Sequence, residues 1–210
     1  MNAGFYDVAQ GRWAPDVAWW TSGVALQAIL DYMWKTGSRE YMAQAEHIVA
    51  LQSKPLPWYP QGNGSFRADS TDDTGWWALA MVRMFDLTGN MTYLNYTILD
   101  EEFMHTYWST SYCDGGIFVD ISQKTYKNAI ANQLYMAVAA SLHNRLGAND
   151  TKYLDRAVAT WNWIKGSGMI NGDNLINDGL ARDANGTCYN NKLPIWTYNQ
   201  GVVLGGLVGK

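Results

Sequence analysis

A chain of 210 residues with 48% hydrophobic and 16% charged side chains is globular in composition, sized for one domain or part of a larger one, and not a disordered polypeptide. A net charge of −4 argues against nucleic-acid partners and anionic membrane surfaces, and no run of about 18 uninterrupted apolar residues exists to span a bilayer. The 11 Trp, 13 Tyr and 5 Phe fill a large core and also suit carbohydrate, whose ring faces stack on aromatic side chains.

In chain order, Met1-Asn2-Ala3-Gly4-Phe5-Tyr6 lacks the basic and apolar regions of a signal peptide. The first strong helical pattern, about 17–35, is apolar on every side and opens with Trp19-Trp20. It ends at Gly37, after which Tyr41-Met42 begins a second helix. Ser70-Thr71-Asp72-Asp73-Thr74-Gly75-Trp76-Trp77 then starts the helix of about 73–88. Ser70 and Thr71 are expected to accept hydrogen bonds from first-turn amides, with the acids at the positive end of the helix dipole.

The next break, Gly89, leads to Tyr93-Leu94. A third enclosed helix, about 127–146, breaks at Gly147 before an amphipathic one in which Tyr153, Leu154, Ala157, Val158, Trp161 and Ile164 share a face. A Gly break followed by an aromatic-aliphatic pair thus recurs three times, each joining an all-round apolar helix to a one-sided one. An all-α toroid of paired helices, an α/α toroid, has this construction, with inner helices surrounded and outer helices half wet. About seven helices are visible. The chain stops inside the last, Thr197-Tyr198-Asn199-Gln200-Gly201 onward, so it reads as a fragment of a longer polypeptide. Apolar faces near 17–35 and 197–208 are expected to be uncovered.

Between helices, Cys113-Asp114-Gly115-Gly116-Ile117-Phe118-Val119-Asp120 alternates like a short strand, and 168–180 reads as a small hairpin. Cys113 and Cys188 both lie in Gly-rich loops and are expected to form a disulfide. Five glycosylation sequons begin at Asn63, Asn90, Asn95, Asn149 and Asn185, consistent with secretion.

Adjacent aspartates at a helix start are ordinary capping chemistry. They are also what a retaining glycosidase needs: side chains at i and i+1 point about 100° apart and can flank a ligand near the ~5 Å such enzymes use, while mutual repulsion separates their pKa values. Loops entering inner helices converge on one mouth, bringing Trp19, Trp20, Trp76, Trp77, Asn128, Asn132, Asp178, Tyr198 and Asn199 toward Asp72 and Asp73 as candidate sugar contacts, with helix capping and core hydrogen bonding the alternative for each Asn and Tyr taken singly. His47, His105 and His143 are isolated, Trp76 and Trp77 stand where an Asp-Asp magnesium motif wants another carboxylate, and no metal site is expected.

Together, Trp19-Trp20, Asp72-Asp73 before Trp77, the Cys113-Asp114-Gly115-Gly116-Ile117 loop, Lys127-Asn128-Ala129-Ile130-Ala131-Asn132, Asn177-Asp178-Gly179 and Thr197-Tyr198-Asn199-Gln200-Gly201 resemble glycoside hydrolase family 76 over nearly the whole chain. The resemblance implies an (α/α)6 toroid of helical hairpins, with 1–210 a partial catalytic domain truncated at both ends, and an endo-α-1,6-mannanase acting with retention on α-1,6-mannan or a mannose-containing glycan. It implies Asp72 as nucleophile, Asp73 as acid/base and no cofactor. A secreted or cell-wall location is implied as well. Transglycosylation onto mannose-bearing glycans and non-catalytic mannan binding are the alternatives; a sugar epimerase on this fold would want histidines at the mouth.

Overall fold

The computed structural model describes residues 5–14 and 16–209. The opening residues 1–4, on which most of the signal-peptide reading rests, lie outside that range. Seven α-helices are present among the described residues: α1 Trp20–Thr36, α2 Met42–Gln52, α3 Thr71–Thr88, α4 Met91–His105, α5 Ala129–Leu146, α6 Lys152–Gly166 and α7 Thr197–Val208. Two short antiparallel hairpins accompany them, β1 Tyr6–Asp7 with β2 Arg12–Trp13, and β3 Leu180–Arg182 with β4 Cys188–Asn190. The second hairpin, in a segment rich in Asn, Asp and Gly, was not legible from alternation.

Helices α1, α3, α5 and α7 pack side by side as an inner row, while α4 and α6 lie against α3 and α5 from outside. Ala45, Ile48 and Val49 bury α2 in the core shared by α1 and α3. That core centres on Trp77, fully buried between Trp19 at 5.0 Å and Phe66 at 5.2 Å. Inner helix α3 touches α5 so closely that a Cβ on Gly75 would stand 2.8 Å from the Leu134 Cβ; no larger residue fits there without separating the helices.

The helix ends follow the Gly breaks, with a variation. Gly37 and Gly89 adopt the left-handed conformation at φ 73° and 68°, whereas Gly147, at φ 92° and ψ 177°, leaves α5 by an extended exit. In α6 the buried stripe is Tyr153, Ala157, Thr160, Trp163 and Ile164, while Leu154 and Val158 are exposed. The expected stripe holds at Tyr153, Ala157 and Ile164 and fails at Leu154 and Val158; Trp163 takes an inward place instead, its indole N–H donating to Cys113 O at 2.7 Å. Exposed apolar side chains gather at both ends of the arc: Tyr32 and Trp34 on α1, Leu204, Leu207 and Val208 on α7.

The expected hairpin at 168–180 forms, with Asn171 N–H donating to Leu175 O and Asn177 N–H to Met169 O. The 113–120 stretch pairs at single bridges, Ile117 with Trp108 and Asp120 with Ser70. Cys113 and Cys188 are disulfide-bonded, their Cα atoms 5.4 Å apart.

Candidate active site

Helix α3 carries the site on one face. Counting from Asp72, the residues at helical spacing are Trp76, Leu79, Arg83 and Asp86, a stripe running from the mouth to the floor of the inner row. Trp76, Leu79 and Arg83 line a cavity of about 620 Å³ enclosed by α1, α3, α5 and α7, with Tyr198 on its opposite wall. Asp72 and Asp73 sit one turn above its upper rim, at the helix N-terminus.

The start of α3 is held in an unexpected way. Ser70 is the N-cap residue but its side chain makes no capping bond, and the Thr71 hydroxyl donates to Phe118 O at 2.9 Å. Neither accepts from a first-turn amide as expected, because the neighbouring 117–121 segment takes up the entry to the helix: Thr71 N–H donates to Val119 O. The capping role falls to Asp72, whose carboxyl accepts the Asp73 N–H at 3.0 Å.

Both carboxyls are half-buried, and neither has an ion-pair partner among the described residues. Arg83 is turned away to Asp31 and Asp86. Burial raises the Asp72 pKa, partly offset by hydrogen bonding with Ser70 and the Asp73 amide. Burial, and then the charge of Asp72, push Asp73 up to about 7. The helix dipole favours the anionic form of both, yet for both desolvation wins. Two carboxyls thus stand side by side above the ordinary range, Asp72 accepting a backbone amide and Asp73 raised further by its neighbour's charge.

Aromatic side chains flank the pair on two sides. Trp20 stacks on Trp76 with centroids 5.7 Å apart, and Trp196 stacks on Tyr198 at 6.0 Å. Tyr198 feels Asp72 directly: its pKa is raised by burial, then by the charges of Asp178 and Asp72. Asp178 is clamped by Trp196 Nε1 at 3.1 Å and by the Tyr126 hydroxyl, which also accepts from Asn191 Nδ2 at 2.8 Å.

Of the residues expected at the mouth, Trp20, Trp76, Asp178 and Tyr198 are partly exposed around the acids. The others do not reach it. Trp19 and Trp77 are core, since their stacking on each other and on Phe66 removes both rings from solvent. Asn128 caps α5 through the Ala131 N–H, and buried Asn132 grips the backbone N–H and C=O of Ile117. Asn199 is fully buried, its amide directed at Asn177 O. Sequence reasoning missed Trp196 and Tyr126. Trp196 had a signal, an aromatic immediately before an inner helix, as Trp19 is before α1.

All five sequon asparagines are exposed. Asn90 also caps α4 through the Thr92 N–H.

An arc of helical hairpins with paired carboxyls at the mouth end of its inner row belongs to the (α/α)6 toroid proteins. The α-1,6-mannanase of Salegentibacter sp. HEL1_6 superposes with a TM-score of 0.82 over 96% of this chain and 59% of that one, at 22% identity. The chain belongs to glycosyl hydrolase family 76, whose pattern matches residues 3–209. Among curated relatives, mannan endo-1,6-alpha-mannosidase DCW1 of Candida albicans is 28% identical over 200 residues, and DFG5 of Saccharomyces cerevisiae 27% over 214. Those alignments cover 90% and 96% of this chain but 43% and 46% of the relatives, so the chain spans about half their length. Among the described residues, no helix is long and apolar enough to cross a membrane.

Proposed function

We propose that this protein hydrolyses α-1,6-linked mannan with retention of configuration, using Asp72 as nucleophile and Asp73 as acid/base. The carrying observation is the Asp72–Asp73 pair, half-buried, free of cationic partners and with Asp73 held near 7. The Asp72 carboxylate forms a bond to the anomeric carbon as the bond to the glycosidic oxygen breaks, and the Asp73 proton passes to that departing oxygen. Water then attacks the same carbon, Asp73 takes the water's proton, and the ester to Asp72 is released. Trp20, Trp76, Tyr198 and Asp178 contact the sugar units, the rings by stacking and the carboxylate by accepting from hydroxyls.

The relatives support the substrate. A structural neighbour is an inactive variant of the Salegentibacter enzyme in which two consecutive aspartates are replaced by alanine, in complex with alpha-1,6-mannotetrose. The curated relatives carry mannan endo-1,6-alpha-mannosidase in their names. The exposed sequons and the disulfide fit a chain made in the secretory route and carrying glycans at Asn63, Asn90, Asn95, Asn149 and Asn185, at the cell surface or outside it.

The test is incubation of the protein with linear α-1,6-mannan, with products resolved by size and anomeric form. Shortened oligomers of retained configuration are expected. Inverted products or an unaltered polymer overturn the reading, and elongated or acceptor-linked products replace hydrolysis by transfer.

A further inference from the structure

A second hollow, of about 420 Å³, lies at the same end of the molecule as the acids but at its periphery, between the exit of α4 and the β3–β4 hairpin. Tyr107, Ser109, Ser111, Tyr112, Lys124 and Arg182 form its working surface. The two cations come from separate segments and each lies over a ring: Lys124 Nζ is 5.5 Å from the Tyr107 centroid and Arg182 Cζ 4.8 Å from that of Tyr112. Among the described residues neither has a carboxylate within ion-pair distance, although acidic residues outnumber basic ones in the chain. The nearby acids are committed elsewhere. Asp120 accepts the backbone N–H groups of Gln123, Lys124, Thr125 and Tyr126, and Asp114 acts on Lys127.

The hollow is a built one. Arg182 Nε is fixed on Gly186 O at 2.9 Å, which aims the rest of its guanidinium outward, and the Tyr112 hydroxyl is tied to Thr125 O at 2.6 Å. Ser109 and Ser111 pair their hydroxyls at 3.0 Å on the rim. Below them the Lys127 ammonium donates to Ser109 O, Tyr112 O and Gly115 O, all at 2.6 Å, pinning the loop from beneath. Lys124 itself sits at φ 52°, a left-handed position that an Asn or Gly would occupy at less cost.

We propose that this hollow binds a phosphorylated sugar, its phosphate held between Arg182 and Lys124 and its ring on the Tyr107 and Tyr112 faces. A guanidinium fork with a point ammonium suits a phosphate mono- or diester, while the flanking aromatics and serine hydroxyls suit a pyranose rather than a bare ion. The 117–121 segment leads from the hollow to Ser70, two residues before Asp72, so the hollow and the paired acids share one connected stretch of wall.

The site does not depend on the hydrolytic reading, and the experiment separates the two. Titrations of the protein with mannose 6-phosphate, glucose 6-phosphate, mannose and inorganic phosphate are followed by calorimetry and by NMR, in the parent and in Lys124→Gln, Arg182→Gln and Tyr112→Leu. Both sugar phosphates should bind at least tenfold more tightly than mannose or inorganic phosphate. Each charge variant should weaken them about tenfold, with unchanged melting and unchanged cleavage of unphosphorylated mannan. Failure of cleavage alone would sink the hydrolytic reading and leave this one standing. Inorganic phosphate binding as tightly as the sugar phosphates, unaltered binding in Arg182→Gln and Lys124→Gln, or no binding of any probe would each overturn the site.

Discussion

The two ends of α3 handle negative charge in opposite ways. At its C-terminal end Asp86 is gripped by two guanidiniums, Arg145 at 2.6 and 2.7 Å and Arg83 at 2.9 Å, and Arg83 reaches on to Asp31 at 2.6 Å. At its N-terminal end Asp72 and Asp73 have each other and no cation. The floor therefore ties α1, α3 and α5 together with satisfied charge, while the mouth keeps carboxyls whose protonation is still free to change. Proton-transfer chemistry needs the second arrangement, and a cross-brace needs the first.

The sharpest test of that contrast is substitution at the mouth. Asp72→Asn and Asp73→Asn should each lower turnover on α-1,6-mannan on the order of 10⁴-fold with folding intact, measured by reducing-end release and circular dichroism. An activated leaving group should restore much of the first step in Asp73→Asn and none in Asp72→Asn. Equal, modest losses would make the pair a helix cap and nothing more.

Asp86→Ala should act the other way round. Leaving Arg145 without its carboxylate and Arg83 with Asp31 alone in a partly buried site should cost about 3 kcal/mol in denaturant unfolding, while turnover per folded molecule stays near the parent value. A turnover loss like that of the mouth variants would erase the distinction between the two ends.

The pH dependence follows from the same contrast. Activity requires protonated Asp73, so turnover should fall as pH rises through about 7, and this limb should vanish in Asp73→Asn. Its folded value lies above the ordinary carboxyl value of 3.8, so the native state binds this proton more tightly than the unfolded chain. Stability should decline between about pH 4 and 7, and Asn at 73 should flatten that slope in thermal melts at stepped pH.

The smallest effect is expected at Trp196. Its replacement by Ala removes a ring stacked on Tyr198 and a donor to Asp178, which should raise KM several-fold with kcat less affected. A pure kcat loss would place Trp196 with the reacting groups instead.

Much of this was legible in the sequence because it is local. The N-terminus of α3, the Gly breaks at Gly37 and Gly89, and the half-wet outer helices all follow from short-range patterning. The cysteine pair was legible from its setting, both residues lying in Gly-rich loops on the same side of the helices. What the sequence hid is long-range. Arg83 finds Asp31 at a separation of 52 residues, and Arg145 finds Asp86 at 59. Trp76 and Trp77 are neighbours in sequence with opposite fates, since one helical step of about 100° takes the first to the cavity and the second into the core. The indole of Trp163 displaced part of the expected α6 stripe for the same reason, its partner Cys113 lying 50 residues away.

The Cys113–Cys188 bond, spanning 75 residues, has a consequence for how the molecule breaks. It closes α5, α6 and β3 into a covalent ring, attached to α3 on one side of the cleft and α7 on the other. A protease cutting the exposed 147–149 connection within that ring would produce two fragments on a reducing gel and one species without reductant. The walls that carry Asp72 and Tyr198 would stay joined through sulfur after the backbone between them had been severed. A nick there leaves continuity of the cleft without continuity of the peptide.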